Sequence, residues 1–465
     1  MSPRIFALAV FAVAFLLRVA LALLWPDGGG DSKIYLKVAE NILSNGCVSL
    51  SDPASGACEP HWGGNQLPGY PAFVAAIWAL DGHSNNAVLI VQSAANALAI
   101  AYLGLVLLGW LGETRRASWA IAIVVFSPIG LPWSRYLLTE SLSVTLTIWV
   151  AAEIFRSVIE RRLRAVMLGV AYAAAVFVRY DNAVLALPIA CAAFSIHGLA
   201  AGLRVGLISA LVAATPLGVW WGRGVAAGLP SLPLTQTLPD GARPPSGYID
   251  WGHSWMVLEF EYPLWIYQVY NRCYSCIKLP AAAFGGAKEA AIVQGLMADL
   301  ATHDGRPFPR DIDDAFGKLA AKRAAEDPVR HYLLLPAKRL GWLLFSPFNS
   351  LGWPVAVRGE SLGADPDTAD LISRILQDPH LFAVKAGVNG YRIMLLFAVL
   401  AMWRQWNRSR ALLQRDLATA GLVYFVGTLA LHLIFVLIEV RYLISAYAFL
   451  DTVAAVALAR KSGRP

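Results

Sequence analysis

Charged side chains are scarce in this sequence. Only 15% of its 465 residues are Asp, Glu, Lys or Arg, whereas 57% are hydrophobic, and the mean hydropathy is +0.54. A soluble globular protein has about 25% charged residues. The shortage of charge therefore excludes a soluble protein of this size and predicts an integral membrane protein.

The sequence also lacks the alternating segments of about ten residues that build membrane β-barrels. Apolar runs of the length that crosses a hydrocarbon core of about 30 Å recur towards both ends of the chain instead. We therefore expect an all-α polytopic fold with about ten transmembrane helices. The predicted spans are residues 5–25, 87–111, 118–131, 137–155, 165–178, 183–197 and 205–221, with two or three more after Val384.

The first apolar run has no small-residue cleavage site before the polar stretch that follows it, so we interpret it as an uncleaved first span. Arg18 interrupts this run. A charged residue near the end of a span either extends to the interface or faces a polar cavity, and the sequence leaves both alternatives open.

The net charge of +7 indicates orientation and not nucleic-acid binding. Arginine is concentrated in the connections 113–116, 156–164 and 404–415 and in the tail 460–464, which is typical of cytoplasmic segments. The amino terminus is then inside. With that alternation, five charged residues fall together on the extracytoplasmic side: Asp31, Glu140, Arg179, Arg223 and Arg441.

Three regions follow from this topology. An N-terminal membrane region, 1–222, contains a first outer loop at 27–86; an extracytoplasmic region occupies 223–384; and C-terminal membrane helices occupy 385–465. The short amphipathic pattern 34–43 and the apolar pattern 70–80, which is too short to cross, predict two interfacial helices in the first outer loop. We interpret 331–348, which contains Pro336, as a third interfacial helix.

Cysteine is also rare, and four of the five cysteines lie in the two outer regions: Cys47, Cys58, Cys273 and Cys276. This placement predicts an oxidising compartment and at least one disulfide. Cys47 and Cys58 would close a compact loop, whereas Cys273 and Cys276 either bond to each other or pair with the first loop. A zinc site completed by His61 and His253 is a weaker alternative, so a divalent metal stays open as a cofactor.

Asp31 follows three glycines at the exit of the first span, so its carboxylate is displayed close to the membrane surface. Asp is also a favoured N-cap residue, which gives a purely structural alternative as the cap of the helix that follows. The two roles are compatible.

Five short motifs occur in order along the chain: GDSKIY from Gly30, LPGYP from Leu67, RYLLTE from Arg135, Arg179 alone, and EVRY from Glu439. Together they resemble the GT-C class of glycosyltransferases that use polyprenyl-phosphate sugars. The resemblance is to the family 39-like branch that contains protein O-mannosyltransferases and lipid A aminoarabinose transferases. It covers most of the membrane region and little of the large outer region.

The resemblance implies an inverting transfer of one sugar from undecaprenyl phosphate at the outer face of a bacterial inner membrane. It implies Asp31 as the catalytic base, with Glu140 as a second acid. Arg441, Arg179 and Arg135 are the expected ligands of the donor phosphate, because arginine binds phosphate oxygens through paired hydrogen bonds. The expected cavity residues are Tyr35, Tyr70, Glu439 and Tyr442.

The acceptor stays open between lipid A, another envelope glycan and a protein. Ser32 stands after Asp31, where protein O-mannosyltransferases carry a second acid, which disfavours a protein acceptor.

The arginines, the aromatic stretch and the protein as a whole each have an alternative interpretation. The arginines could anchor spans or pair with neighbouring acids, Arg179 with Asp181 and Arg441 with Glu439. The aromatic stretch 248–274 is more typical of an interfacial belt than of a sugar platform. A transporter or flippase, or a non-catalytic envelope assembly protein, is the alternative function.

Overall fold

The computed structural model describes residues 1–27, 31–59, 67–229, 244–258, 268–269, 271–347, 349, 351–353, 376–409, 412–436 and 438–458. Parts of the predicted features lie outside these residues: Gly30, His61, the basic tail, and Tyr262, Trp265, Tyr267 and Tyr270 of the aromatic stretch 248–274. The described residues contain no strand, and their one isolated β-bridge joins Asp27 to Tyr136. The predicted all-α fold is confirmed.

The described residues form α-helices in both the apolar runs and the polar connections of the sequence. In chain order they are α1 Pro3–Leu24, α2 Ser32–Asn45, α3 Gly69–Asp81, α4 Asn85–Leu111, α5 Thr114–Val125, α6 Thr139–Glu160, α7 Ala165–Val178, α8 Ala186–Ala226, α9 Ser246–His253, α10 Ala287–Ala301, α11 Arg310–Glu326, α12 Leu335–Phe345, α13 Pro379–Ser409, α14 Leu412–Ile434 and α15 Ile444–Leu458.

Seven helical segments within the described residues are long and apolar enough to cross a membrane. They contain helices α1, α4, α6, α8, α13, α14 and α15. Element α8 consists of two helical halves that meet at Gly198, where φ is 71° and ψ is −176°, and these halves correspond to the predicted spans 183–197 and 205–221. Helix α7 is apolar but has only 14 residues. The chain is therefore a multi-pass membrane protein, and counting the two halves of α8 separately accounts for part of the difference from ten.

The predicted span 118–131 is wrong in its extent. Helix α5 has 12 residues and ends at Val125, which is too short to cross a bilayer on its own. The physical reason is Pro128, because a proline disfavours helical backbone at the residue before it. There the Ser127 hydroxyl donates a 2.6 Å hydrogen bond to Asp451 on α15, and a 3₁₀ helix, Leu131–Arg135, follows.

Arg18 is buried between α1, α4 and α5, with 1% of its surface exposed. Its Nε donates to the Asn96 side chain at 2.5 Å, and its Nη1 donates to the carbonyls of Ala14 and Val125 at 3.2 and 3.4 Å. The last carbonyls of a helix have no partner within the helix. Arg18 thus donates a hydrogen bond to the last carbonyl of the short α5. Its side chain is buried in the bundle and does not extend to the interface, which was one of the two alternatives left open by the sequence.

The two short apolar patterns of the first outer loop do form helices, α2 and α3, which pack on each other. Most of the pattern 331–348 is also helical, as a π-helical turn Arg330–Leu334 that continues into α12 and ends at Phe345. Disulfides join Cys47 to Cys58 and Cys273 to Cys276.

The large connection between α8 and α13 builds a second hydrophobic core, which Val436 and Ile438 from the connection between α14 and α15 also join. Trp251, Tyr248 and Phe316 are fully buried at its centre, where the Trp251 and Phe316 rings lie 4.8 Å apart. The described part of the predicted aromatic stretch therefore packs inside this cluster. Arg339 of α12 donates to the carbonyls of His253 and Met256, which ties the cluster to α12.

Candidate functional site

Six charged side chains from separate stretches of the chain meet at one end of the helical bundle. We call them the charged cluster: Asp31, Glu140, Arg179, Asp181, Glu439 and Arg441. They come from the start of α2, the start of α6, the connection between α7 and α8, and the connection between α14 and α15.

Arg441 joins two acids from opposite ends of the sequence. Its Nη2 lies 3.2 Å from Oδ2 of Asp31, and its Nε contacts the carboxylate of Glu439. Asp31 occupies the N-cap position of α2, but its side chain makes no capping hydrogen bond. The backbone carbonyl of Asp31 starts the helix instead, by accepting from the Ile34 amide at 3.0 Å. The carboxylate is directed to Arg441 and not to the helix end.

Arg179 forms the second branched ion pair. Its guanidinium donates in a fork to Asp181, with distances of 2.8 to 3.2 Å, and its Nη1 lies 3.2 Å from Oε1 of Glu140. The Thr139 hydroxyl accepts from the same Nη1 at 3.1 Å. Because the fork fixes the plane of the guanidinium, Arg179 is held in one orientation.

Tyr442 brings the two arginine branches together. Its ring centroid lies 5.2 Å from Cζ of Arg179 and 5.3 Å from Cζ of Arg441. These distances are within the range of cation–π attraction. The ring of His432 on α14 stacks on the same tyrosine, with 5.5 Å between centroids and an interplanar angle of 10°.

Two further predicted cavity residues line the cluster from the first outer loop. Tyr35 and Tyr70 are buried and meet edge to face, with ring centroids 5.5 Å apart. Burial, with Glu140 nearby, raises the pKa of Tyr35 well above its usual value. The Tyr70 hydroxyl donates to Gln92 of α4, which in turn donates to the carbonyls of Ser134 and Tyr136 at 2.9 Å.

A glycine of the LPGYP motif explains how α3 approaches this site. A Cβ atom placed on Gly69 would lie 2.5 Å from the carbonyl oxygen of Phe177, near the end of α7. No side chain fits there. The glycine therefore allows the first turn of α3 to contact the backbone that leads directly into Arg179.

The acids of the cluster differ in their access to solvent. The side chain of Asp31 is 31% exposed, compared with 3% for Glu140 and 14% for Glu439. Burial raises the pKa of the Glu439 carboxyl, although Arg441 acts in the opposite direction. Burial opposes the charge on Arg179, but the Asp181 and Glu140 carboxylates outweigh it and hold the pKa of this guanidinium above its ordinary value. Asp31 is thus the most accessible of these carboxylates, beside an arginine.

Arg135 lies apart from the charged cluster. Its Nε donates to the Trp25 carbonyl at 2.5 Å, and its other nitrogens reach the side chains of Tyr136 and Asp27 and the carbonyl of Gly352. These bonds connect the exit of α1 to the connection before α13. A role in phosphate binding stays a prediction for Arg135. Arg223 contacts the first outer loop, where it donates to the Val48 carbonyl.

His432 was not anticipated from the sequence, and neither were Gln92 and Thr139. A histidine within an apolar span is a recognisable signal, because polar residues inside a membrane are costly and are usually functional. Gln92 had the same signal. The described residues contain no group of three or more His, Cys, Asp or Glu side chains that could hold a metal ion.

No protein-family profile matches this chain, and no curated protein sequence matches it. Three solved structures are similar to it. Two are of the Archaeoglobus fulgidus oligosaccharyltransferase, one tethered to an acceptor peptide and one in complex with an inhibitory peptide and dolichol-phosphate. Each is 14% identical with a TM-score of 0.42, over 97% of this chain and 49% or 50% of the other.

The third structure is ArnT from Cupriavidus metallidurans bound to undecaprenyl phosphate. It is 12% identical with a TM-score of 0.39, over 98% of this chain and 77% of that protein. The present chain thus spans about half the length of the archaeal enzyme. At TM-scores below 0.5 this likeness assigns neither a family nor an activity.

Proposed function

We propose that this chain is a membrane glycosyltransferase of the GT-C class that transfers a sugar from a polyprenyl phosphate to an acceptor hydroxyl, with Asp31 as the general base. The observation that carries the proposal is the convergence around Tyr442. The accessible carboxylate of Asp31 lies beside Arg441. On the same tyrosine, Arg179 is held by the buried acids Glu140 and Asp181. A transfer from a phosphodiester needs a base for the acceptor and cations for the departing phosphate, and both are present in this one place.

The chemistry assigns one task to Asp31. The acceptor oxygen bonds to the anomeric carbon of the sugar, the bond from that carbon to the phosphate oxygen breaks, and the acceptor proton passes to the Asp31 carboxylate. The polyprenyl phosphate leaves as a monoester with one additional negative charge. A positioned base typically contributes a factor of about 100 to 10,000 in rate. Because the nucleophile and the leaving group are on opposite faces of the sugar, the product has inverted configuration.

The arginines have the complementary task. Arg441 and Arg179 flank Tyr442 and would bind the donor phosphate, where their charge stabilises the developing monoester. Glu140 and Asp181 hold Arg179 in place. Glu140 would act as the second acid that shapes the cavity, together with Tyr35 and Tyr70.

The proposed location follows from the charge distribution of the sequence. Glu140 lies in the first turn of α6, and the arginine-rich connection 156–164 is at the other end of that helix, which supports a site on the extracytoplasmic side, in the inner membrane if the source is bacterial. The carrier would then be undecaprenyl phosphate, which enters from the bilayer, and lipid A or another envelope glycan would be the acceptor.

A panel of radiolabelled polyprenyl-phosphate sugars, offered to the purified protein in detergent or nanodiscs, tests the proposal. We expect release of polyprenyl phosphate from at least one donor when envelope lipids are present, and no release by the Asp31→Asn variant. A transporter or flippase would leave every donor intact and move it between leaflets of a proteoliposome. Intact donors across the panel, with protein-dependent translocation of one of them, would overturn the proposal in favour of transport.

A further inference from the structure

His432 lies in α14 with none of its surface exposed. Its Nδ1 is 2.7 Å from the carbonyl oxygen of Thr428, one turn earlier in the same helix. A carbonyl oxygen only accepts hydrogen bonds, so Nδ1 carries a hydrogen and donates it. This bond fixes the orientation of the imidazole ring and leaves Nε2 as the nitrogen whose protonation can change.

The second nitrogen of the ring is directed at the charged cluster. Nε2 lies 3.8 Å from Oδ2 of Asp181 and has no hydrogen-bond partner among the described residues. A histidine that serves only to fill a core usually has both nitrogens satisfied, because an unpaired buried polar group is costly. Nε2 of His432 instead lies where it would form an ion pair with Asp181 once it carries a proton.

His432 contacts the site through two residues that the proposed reaction uses or depends on. Its ring stacks on Tyr442, which lies against both arginines. Its Nε2 faces Asp181, whose carboxylate holds the Arg179 fork. The charged groups that act on the imidazole are therefore Asp181 and Arg179, with the Tyr442 phenol against its face.

The net charge of the charged cluster indicates what a proton on His432 would do. When all four carboxylates are ionised and His432 is neutral, the four carboxylates and two guanidinium groups leave two more negative than positive charges. A donor phosphodiester adds another negative charge to this buried region, where like charges repel strongly. A proton on Nε2 would reduce the excess and convert the contact with Asp181 into an ion pair.

We propose that His432 is a positioning residue that takes up one proton from solvent when the donor phosphodiester binds. The imidazolium then holds Asp181, which keeps Arg179 oriented towards the phosphate, and stays stacked on the ring of Tyr442. The inference rests on the proposed function, because it assumes that a phosphodiester binds between the arginines. It assigns no direct contact with the substrate to His432.

Linkage gives the sign of the effect. If binding takes up a proton, affinity for the donor rises as the pH falls. The methyl ester of undecaprenyl phosphate is a suitable probe, because a phosphodiester has no second ionisation near pH 6, unlike a monoester. We expect its dissociation constant for the wild-type protein to fall about three- to tenfold between pH 8 and pH 6, the range expected for coupling to one histidine proton.

Three variants separate this role from packing. His432→Asn keeps an amide that can donate to Thr428 but lacks the Nε2 end, so its affinity should be low and independent of pH. Asp181→Asn removes the partner carboxylate and should also flatten the pH profile. His197→Gln is the matched control, because His197 accepts from the Leu163 amide at the other end of the bundle, and its profile should follow that of the wild type.

The outcomes are distinct. A wild-type affinity that does not change with pH, or a His432→Asn profile with the wild-type slope, would overturn the inference and leave the proposed function standing. If His432→Asn does not fold, the Asp181→Asn profile decides by the same criterion. A probe that fails to bind the wild-type protein at any pH would remove both the inference and the proposed donor site.

Discussion

The carboxylate of Asp31 lies 3.2 Å from Nη2 of Arg441, a residue 410 positions later in the chain. This contact joins the exit of the first span to the entry of the last one. It also places the most accessible acid of the charged cluster beside a cation, which is the arrangement that a base acting next to a phosphate requires.

Replacing Asp31 with Asn should abolish transfer while the protein stays folded. The amide has the shape of the carboxylate but cannot accept the acceptor proton, so the single-turnover rate should fall by about 100- to 10,000-fold, or about 3 to 5 kcal/mol of barrier. The helix start should persist, since the Asp31 side chain makes no capping bond. Quenched single-turnover transfer from a radiolabelled polyprenyl-phosphate sugar measures the rate.

Asp52→Asn is the matched control for this substitution, because Asp52 lies in the same loop and its carboxylate only accepts from the Ala54 amide. It should retain wild-type activity. An Asp31→Asn rate above about a tenth of wild type, a loss below roughly 1.4 kcal/mol, would exclude Asp31 as the base and make Glu140 the next candidate.

Replacing Arg441 with Ala should weaken binding of the lipid carrier more than it weakens folding. Loss of a charge-assisted hydrogen bond to phosphate costs roughly 1.5 to 3 kcal/mol, about 10- to 150-fold in dissociation constant. Glu439 loses its partner too, but burial already raises the pKa of this carboxyl, so it can become neutral by binding a proton. Titration with undecaprenyl phosphate measures the affinity.

Arg116→Ala is the companion variant, since Arg116 pairs with Glu113 at the opposite end of the bundle. It should bind the carrier like wild type. Unchanged affinity in a folded Arg441→Ala protein would reassign Arg441 to holding the last span against Glu439.

Gly69→Ala should disturb the site through the backbone. The added methyl group would meet the Phe177 carbonyl at 2.5 Å, so α3 or the end of α7 must shift, at a cost of about 1 to 3 kcal/mol. We expect a lower thermal midpoint together with weaker carrier binding, because Arg179 follows that segment. Gly109→Ala, where nothing lies within 4 Å of the new atom, should be neutral or slightly stabilising. Equal midpoints for the two variants would contradict the close approach.

The disulfide between Cys47 and Cys58 should protect both thiols from alkylation in the unfolded, unreduced protein. Cys191 is the internal control, because it is free in the structure. After reduction, both outer thiols should label, and the protein should lose roughly 3 kcal/mol of stability, the effect of opening a loop of this length. Full labelling of all four outer cysteines without reductant would refute both bonds and the oxidising compartment inferred from them.

The large connection between α8 and α13 should lose stability in acid. Burial, with Arg339 nearby, lowers the pKa of His253 to about 4, so the unfolded chain binds a proton at this site that the folded chain rejects. Stability contributed by neutral His253 is complete above the unfolded pKa of about 6.5 and is lost as the pH falls towards 4. The loss should not exceed about 3 kcal/mol. Thermal midpoints between pH 7.5 and 4.5 measure it, and His253→Gln should show a smaller change over that range; an identical slope would exclude His253.

Hydropathy and composition alone determined that this is a helical membrane protein. The order of the motifs also placed Asp31, Glu140, Arg179 and Arg441 on one side, because helices that cross a bilayer in alternation fix the side of each connection. The helices of the first outer loop were predictable from length, since one amphipathic and one apolar run are each too short to cross a bilayer.

Only the tertiary structure decided which of these charges pair. Asp31 could have capped α2, but its carboxylate meets Arg441; Arg135 has the same motif context as Glu140, yet it lies apart with Asp27. His432 entered the site only through the rotation of α14, which directs its ring at Tyr442 and Asp181. Hydropathy depends on the number of apolar residues in a helix, whereas side-chain partners depend on the rotation and packing of helices that are distant in sequence. That rotation and packing are set by contacts across the whole bundle.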